Sequence, residues 1–475
     1  MADPSDILTD RLRAGLQNAF GTDAEGADPV VRPSTRPGAD YQANGAMGLA
    51  KRLGRNPREV AAAMVEHSDL EGICAGVEVA GPGFVNLVLD PGFLAGEVSA
   101  VATDPRLGVP VAPHRETVVV DYSSPTVTKE MHVGHLRSTI IGDALVRLLE
   151  FAGHTVVRQN HLGDWGTPFG MLIELLAERD DDAWRDDLNA FYQEAHARYA
   201  ADEDFAARAR ARVISLQSGD ADSVARWAEF VAEAVGHARA VYEALGVRLV
   251  DADIRPESSF NPELAGVAAE LEQAGVAVVD DGALCVYVEG YEAPLIIRKS
   301  DGGYGYGTTD LAAVRHRVDA LGATLLLYVV DSRQSQHLQQ VFRAAERAGW
   351  LPPPARAEHV SFGSVLGVDG KPLKSRSGES PRLNHLLAEA VERAASVVAE
   401  KNPELDDATR ADVARMVGTG AVKYADLAND RVKDYTFDFD RMLAFEGNTG
   451  PYLQYAHARS SGGPRSTPRP SRACP

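Results

Sequence analysis

Two histidines and a glycine stand in the stretch Pro125-Thr-Val-Thr-Lys129-Glu-Met-His132-Val-Gly134-His135-Leu-Arg137, which decides the fold. The apolar run 117–121 before it predicts a strand, and the amphipathic segment 136–151 after it predicts a helix. A strand, a turn and a helix in this order can hold phosphates, because a helix N-terminus offers unpaired N–H groups and partial positive charge. Gly134 lets an anion approach the backbone, and Lys129 and the histidines add donors. The pattern predicts a nucleotide-activating enzyme.

Two other interpretations of His132 and His135 stay open at this point. They are also what a satisfied pair of helix-start histidines, or two metal ligands one turn apart, would look like. A metal site is disfavoured because no further cluster of His, Cys or carboxylate residues has ligand spacing. We therefore predict no protein-bound metal.

Strand and helix signals alternate after residue 114. Strands are predicted around 117–121, 155–159, 284–287, 295–297 and 325–330. With helices at 136–151 and 167–179, this alternation predicts an α/β fold with a Rossmann-type parallel sheet in residues 114–379. Helical periodicity in an Ala-, Arg- and acid-rich stretch predicts a helical insertion at 180–247.

The regions on either side have other patterns. Residues 1–113 combine a helix at 5–20 with two strands around a turn within 77–89, which predicts a small α+β domain. The pattern is helical from about residue 380 to 459. Residues 460–475 contain four prolines and no apolar period, so we expect a disordered tail.

Composition restricts the function classes. The formal net charge of −20 over 475 residues argues against nonspecific nucleic-acid binding, although a local basic groove stays possible. Three scattered cysteines, Cys74, Cys285 and Cys474, form no CxxC pair, which suits a reducing cytoplasm and offers no zinc framework. The first residues lack a secretory pattern, and no apolar run is long enough to span a bilayer. We predict a cytoplasmic protein without a membrane partner.

Several ordered motifs resemble one enzyme family. His132-Val-Gly134-His135 resembles the HIGH signature of class I aminoacyl-tRNA synthetases. Its surroundings are similar to arginyl-tRNA synthetases, as are five later segments: Asn160-His-Leu-Gly-Asp-Trp-Gly-Thr-Pro-Phe-Gly170, Gly302-Gly-Tyr-Gly-Tyr306-Gly-Thr-Thr-Asp310, Asp331-Ser-Arg-Gln334-Ser-Gln-His337, Gly420-Ala-Val-Lys-Tyr-Ala-Asp426 and Phe445-Glu-Gly-Asn-Thr-Gly-Pro-Tyr-Leu-Gln-Tyr455. The resemblance extends to about Arg459, and the ordered set is far more specific than an isolated HxGH.

The resemblance implies an arginine–tRNA ligase. ATP, bound with Mg²⁺, would activate L-arginine as arginyl-adenylate, and the arginyl group would pass to the 3′-terminal adenosine of tRNA(Arg). Residues 1–113 would contact the elbow of the tRNA, and we expect a monomer. Neither step needs a protein nucleophile, so positioning and charge stabilisation would carry the catalysis.

For ATP, the resemblance implies donors in two segments. They are Lys129, His132, Gly134, His135, Lys371, Lys374 and Arg376, of which Lys129, His132, His135 and Lys374 would be catalytic. Residues 368–378 resemble the KMSKS loop, but Ser377 stands where a second lysine is usual. Family members with this departure tend to carry a lysine upstream of the histidine motif, so we predict that Lys129 compensates. A solvated Gly/Ser/Lys connection is the alternative interpretation of the loop.

For arginine, the resemblance implies acidic and planar acceptors, because a guanidinium presents five donors in a fixed fork. The residues are Asp121, Ser124, Thr126, His135, Tyr306, Asp310 and Gln334. Asp310 and Tyr306 would bind the side chain, although Asp310 could also be only the N-cap of a helix at 311–321 and Tyr306 a packed strand residue. Thr126 stands where the family has an asparagine, so we expect at least one hydrogen bond to be lost or rerouted through water.

The end of the chain gives a further expectation. The family continues beyond Arg459 into a helical anticodon-binding domain, and the sequence at 460–475 does not match it. We therefore expect a chain truncated by a shifted reading frame, with a naturally short and functional chain as the alternative. Two other functions stay open: a paralogue that activates an amino acid for a non-tRNA acceptor, and an inactive fragment that only binds.

Overall fold

The strand, turn and helix predicted around the histidine motif are present in the computed structural model, which describes residues 4–179, 183–373 and 381–461. The chain divides into two compact units. One contains the residues up to His114 together with Phe151–Gly153, and the other contains Arg115–Glu150 and the residues from His154 onward.

The first unit is built on an antiparallel sheet. Its helices and strands are α1 (Pro4–Phe20), β1 (Val31–Pro33), β2 (Tyr41–Ala43), α2 (Ala46–Leu53), α3 (Pro57–Glu66), β3 (Cys74–Ala80), β4 (Phe84–Leu89) and α4 (Pro91–Thr103). The strand order is β1-β2-β4-β3. Leu8, Leu12 and Leu16 recur every four residues, so α1 buries one face in the core of this unit.

The second unit contains the alternating region. It begins with β5 (Thr117–Asp121), α5 (Leu136–Ala152), β6 (Thr155–Gln159), α6 (Thr167–Arg179), α7 (Leu188–Ala201), α8 (Glu203–Gln217) and α9 (Ala221–Leu245). It continues with α10 (Leu264–Gln273), β7 (Val278–Asp280), β8 (Ala283–Val286), β9 (Leu295–Arg298), α11 (Tyr306–Asp319), β10 (Leu325–Tyr328), α12 (Ser335–Arg347) and β11 (Arg356–His359). It ends with β12 (Val365–Leu366), α13 (Leu383–Lys401), α14 (Asp407–Leu427), β13 (Tyr435–Thr436), α15 (Phe439–Met442) and α16 (Gly450–Ser461).

The parallel sheet has the strand order β11-β10-β5-β6, and each neighbouring pair is parallel. Val118, Val119 and Val120 of β5 are fully buried because helices cover both faces of the sheet. The chain winds from β5 to β6 on one side and returns to β10 on the other. The carboxyl ends of β5 and β10 therefore flank the point where the winding direction reverses, which is where open α/β sheets bind ligands.

Two of the predicted strands belong to a different sheet. β8 and β9 pair antiparallel, and β7 completes this small sheet in the order β7-β8-β9. Their short apolar runs resemble buried parallel strands in sequence, but the tight turn at 281–282 pairs β8 with its sequence neighbour β7. The alternating pattern therefore overstated the extent of the parallel sheet.

The helices that follow residue 383 share a core with the parallel sheet. Leu386 and Ala390 of α13 and Val417 of α14 lie in the same apolar cluster as Val118 and Val120 of β5. No helix in the described ranges is both long and apolar enough to cross a membrane. The predicted tail began at residue 460, but Ser460 and Ser461 are the last residues of α16, and residues 462–475 lie outside the described ranges.

Candidate active site

The histidine motif lies between the carboxyl end of β5 and the start of α5. The His132 ring folds back over Gly134, whose N–H donates to His132 Nδ1 at 3.0 Å. A Cβ atom on Gly134 would lie only 2.7 Å from His132 Cε1, so a glycine is needed for this contact. The His132 N–H donates in turn to His135 Nδ1 at 3.1 Å, and the two ring centroids are 4.1 Å apart.

These hydrogen bonds determine the tautomers of the two rings. An Nδ1 atom that accepts a backbone N–H carries no proton, so each neutral ring has its proton on Nε2. Burial, followed by the charges of Lys129 and Arg333, lowers the pKa of His132 to about 4. Burial, followed by His132 and Lys129, lowers the pKa of His135 to about 3. Near pH 7 both rings are therefore neutral Nε2–H donors.

The backbone N–H groups at this helix start differ from the sequence prediction. The Val133 N–H donates to the Pro381 carbonyl at 3.0 Å, and the His135 N–H donates to the His132 carbonyl at 2.8 Å. The Gly134 N–H is occupied by the His132 ring. The expectation of unpaired N–H groups is wrong at these three positions, because a distant segment, the neighbouring backbone and a ring supply the acceptors. The ring Nε2–H groups are the donors left for a ligand.

The second segment predicted to bind phosphates is described only in part. Lys371 lies in an exposed turn, closed by a 2.8 Å bond from the Gly367 N–H to the Lys371 carbonyl. Gly370 has a φ of 71°, a left-handed conformation that favours glycine at this turn. Lys374 and Arg376, like Ser377, lie outside the described residues.

A cavity of about 710 Å³ in the second unit is lined by three of the residues predicted to bind arginine. Thr126 forms a short parallel bridge with Gly163, and its side chain is exposed. Tyr306 is the first residue of α11, 68% exposed, and Gln334 ends a 3₁₀ turn. Tyr306 is therefore not a packed strand residue. Other lining residues include Trp165, Glu257, Arg333 and His337.

Asp310 adjoins this cavity through His337. It lies within α11, one turn after Tyr306, so the N-cap interpretation is wrong: the helix begins earlier than the apolar pattern indicated. His337 Nε2 and Asp310 Oδ2 are 2.5 Å apart, and His161 Nε2 lies 3.8 Å from Asp310 Oδ1. The Tyr306 ring meets the His337 ring edge-on with centroids 4.8 Å apart. One carboxylate thus faces two histidines and the cavity wall.

Asp121 and Ser124 lie behind this wall. Asp121 pairs with Arg317 at 2.8 Å, and both side chains are buried. Burial opposes ionisation of Asp121, but the charges of Arg317 and His161 and the hydrogen bonds from Ser124 and Arg317 together outweigh it, so the pKa of Asp121 lies below its usual value. The Ser124 hydroxyl donates to Asp121 at 2.7 Å and accepts the His161 N–H at 3.1 Å. The charge of Asp121 is therefore already compensated, and Ser124 connects it to the residues around Asp310.

Sequence reasoning missed Glu257. This glutamate lines the cavity at the start of the 3₁₀ helix Glu257–Glu263 before α10, and burial, followed by the charges of Asp310 and Asp164, raises its pKa to about 8. No local pattern marks it, because a single glutamate in a short 3₁₀ helix belongs to no apolar period. His161 and His337 stand inside the resembling motifs, and their adjacency to Asp310 could have been suspected from the motifs alone.

Comparison with known proteins identifies the family. A family model described as tRNA synthetases class I (R), catalytic domain, matches residues 97–439, and one described as arginyl tRNA synthetase N terminal domain matches residues 6–89. The arginine–tRNA ligase of Thermobifida fusca is 53% identical over 470 residues, covering 97% of this chain and 81% of the relative. That of Cellvibrio japonicus is 49% identical over 466 residues, covering 96% and 80%.

Solved structures agree with the sequence matches. The arginyl-tRNA synthetase of Plasmodium falciparum superimposes with a TM-score of 0.79 at 28% identity, covering 98% of this chain and 81% of that one. The arginyl-tRNA synthetase of Thermus thermophilus gives 0.75 at 24% identity, with coverages of 99% and 84%, and supports the fold. The chain belongs to the arginyl-tRNA synthetase family of class I aminoacyl-tRNA synthetases.

Proposed function

We propose that this chain is an arginine–tRNA ligase that uses ATP to activate L-arginine and transfers the arginyl group to tRNA(Arg). The observation that carries this proposal is a pair of carboxyl groups in the same unit as the two neutral histidine donors: Glu257 lines the cavity, and Asp310 contacts His337 of the cavity wall. A guanidinium needs carboxylate acceptors, whereas a polyphosphate needs donors.

In the first step, an oxygen of the arginine carboxylate attacks the α-phosphate of ATP, and the bond to the bridging oxygen of pyrophosphate breaks. His132 and His135 donate Nε2–H bonds to ATP oxygens, with Lys129 and Lys371 adding positive charge. Since neither ring has to lose or gain a proton, the chemistry is positioning and charge stabilisation. Lys374 and Arg376 act on the same phosphates in this proposal.

In the second step, a ribose hydroxyl of the terminal adenosine of tRNA(Arg) attacks the arginyl carbonyl and AMP leaves. Mg²⁺ enters as the ATP complex, since it is usually held by phosphate oxygens and water. No group of three potential metal ligands occurs in the described ranges. We propose a cytoplasmic monomer, with tRNA as its macromolecular partner.

The guanidinium fork is recognised by Asp310 and Glu257, with Tyr306 and Gln334 completing the wall. Thr126 faces the amino-acid backbone with one hydroxyl where the family has an amide. Asp121 and Ser124 contribute by holding the His161 segment next to Asp310. His135 donates to ATP and also serves the amino-acid backbone.

Substrate discrimination tests this proposal most sharply. We expect arginine to support ATP–pyrophosphate exchange in the presence of tRNA, while citrulline, its neutral isostere, fails because it leaves two acidic groups without a cation. Charging of tRNA with arginine supports the ligase. Arginine-dependent exchange that needs no tRNA acceptor would favour the paralogue, and absence of turnover would favour a binding-only fragment.

A further inference from the structure

Arg137 is a fully buried arginine two residues after the histidine motif. Its Nε lies 3.4 Å from Asp426 Oδ2, and both side chains are about 1% exposed. Its guanidinium carbon lies 5.7 Å from the centre of the Phe362 ring and 5.2 Å from that of Tyr435. An arginine placed between two rings and a buried carboxylate is held in one orientation.

One further nitrogen of Arg137, Nη1, binds two backbone segments, while Nη2 is buried without a hydrogen-bond partner among the described residues. Its Nη1 donates to the Gly363 carbonyl at 2.8 Å and to the Lys433 carbonyl at 3.0 Å. Gly363 lies two residues before β12 and Lys433 two residues before β13, and these two strands pair in parallel. One guanidinium therefore holds the starts of both strands.

The close approach of the two segments depends on Gly363. A Cβ atom there would lie 2.5 Å from the carbonyl carbon of Lys433, and the contacted atoms are backbone that cannot swing aside. Gly363 also donates its N–H to the Arg431 carbonyl at 3.1 Å. The strand pair and Arg137 thus form one closely fitted unit.

β12 leads directly into the turn that contains Lys371. Leu366 of β12 forms an antiparallel bridge with Pro372, which places the Lys371 turn on the end of β12. On the far side of the segment 374–380, the Leu383 N–H donates to the Met131 carbonyl at 2.9 Å. The chain on both sides of that segment is therefore tied to the neighbourhood of the histidine motif.

We propose that Arg137 is a positioning residue that holds the Lys371 turn in register with His132 and His135 and couples both to helix α14 through Asp426. The inference deepens the proposed function, on which it rests, because ATP phosphates are the ligand that needs both segments at once. Arg137 touches no substrate; it acts through the strand pair. Displacing α14 moves Asp426, and through Arg137 it moves the Lys371 turn relative to the histidines.

The chemistry of arginine explains why this position needs it. A lysine offers a single ammonium that cannot donate to Asp426, Gly363 and Lys433 along fixed and divergent directions. Burial, only partly offset by Arg137, raises the pKa of Asp426 to about 6, so the pair depends on the arginine charge. Arg137→Lys keeps the positive charge but removes the fixed directions of the guanidinium hydrogen bonds.

The test measures arginine-dependent ATP–pyrophosphate exchange by the full chain with tRNA present, for Arg137→Lys, Gly363→Ala and Asp426→Asn. We expect each variant to raise the KM for ATP by about tenfold or more, while the Kd for arginine stays within about twofold. Both constants are independent of the folded fraction, so partial misfolding does not imitate this split. Arg212→Lys, which alters an ion pair between α8 of the helical insertion and the buried Glu174 of α6, is the control.

Each outcome decides the inference. A higher KM for ATP in the three variants with an unchanged control supports it. An unchanged KM for ATP in Arg137→Lys, or an equal weakening of ATP and arginine, overturns it while leaving the ligase intact. If the wild-type chain performs no exchange, the proposed function fails first and the inference fails with it.

Discussion

The histidine motif and the cavity, the two ends of the candidate active site, differ in whether their protonation state depends on the ligand. At the histidine end, His132 and His135 are neutral and each ring is already bonded to the backbone. At the cavity end, Glu257 has a pKa of about 8 because it is buried beside other carboxyl groups. Donors for a polyanion can be assembled in advance, whereas acceptors for a guanidinium carry charge that only the substrate neutralises.

This difference has a consequence for pH and for mutation. The histidine end should keep its protonation state throughout the neutral range, because both ring pKa values lie far below it. The cavity end should exchange protons with the solvent when arginine binds. Substitutions at the two ends should therefore separate ATP from arginine binding.

The largest effect is expected from Asp310→Asn. Removing one member of a substrate–protein ion pair in a partly buried site costs on the order of 3 kcal/mol or more, so arginine should bind at least about 100-fold more weakly. The Kd for ATP should stay unchanged, and titration calorimetry measures both. Asp319→Asn, at the exposed end of the same helix, is the matched control. Equal losses for both ligands would show that the cavity is not specific to arginine.

The next effect is expected from Lys129→Ala. The lysine charge is close enough to lower the pKa of both histidines, so it lies where phosphate charge develops. Losing a charged donor costs about 1.5–3 kcal/mol, which predicts at least about a tenfold slower adenylate formation with unchanged arginine affinity. Lys401→Ala is the control. An unaffected rate would show that Lys129 does not compensate for Ser377.

The pH dependence of arginine affinity should follow Glu257. The guanidinium pairs with the ionised form, and the pKa of the free carboxyl is about 8, so protonation competes with binding below that pH. From pH 8 to pH 7 the Kd for arginine should rise about fivefold. Glu257→Gln should remove this slope, leaving contributions from the neighbouring Asp310, Asp164, His161 and His337. Identical pH profiles for both proteins would disprove the assignment.

The smallest effect is expected from Thr126→Asn. The amide adds a donor and an acceptor at the cavity wall, worth about 1 kcal/mol, so arginine should bind about fivefold more tightly. Thr126→Ser, which keeps the hydroxyl, is the control. An asparagine variant that binds arginine no better would mean that Thr126 loses no hydrogen bond to the substrate.

Local patterns predicted most of the fold. The strand at 117–121 and the helix at 167–179 agree with β5 and α6 because their signals lie within the segments themselves. The pairing of β8 with β7 could not be read from the same runs, because an apolar stretch of four residues fits either kind of sheet.

The motifs named some of the residues around the cavity but not their contacts. Of the residues predicted to bind arginine, Tyr306 and Gln334 line the cavity and Asp310 contacts His337 of its wall, whereas Glu257 was not predicted. A hydrogen bond joins the Val133 N–H to the Pro381 carbonyl, and an ion pair joins Asp121 to Arg317. In each pair the residues are about 200 or more positions apart in the sequence. Such pairings depend on tertiary packing, which periodicity and spacing do not report.

The central claim is tested most directly by charging bulk tRNA with labelled arginine, comparing the purified chain with a Lys129→Ala/His135→Ala double variant. The proposal predicts arginyl-tRNA from the wild-type chain and a loss of at least about 100-fold in the variant. Equal charging by both proteins, or none by the wild-type chain under conditions where it binds arginine and ATP, would contradict it.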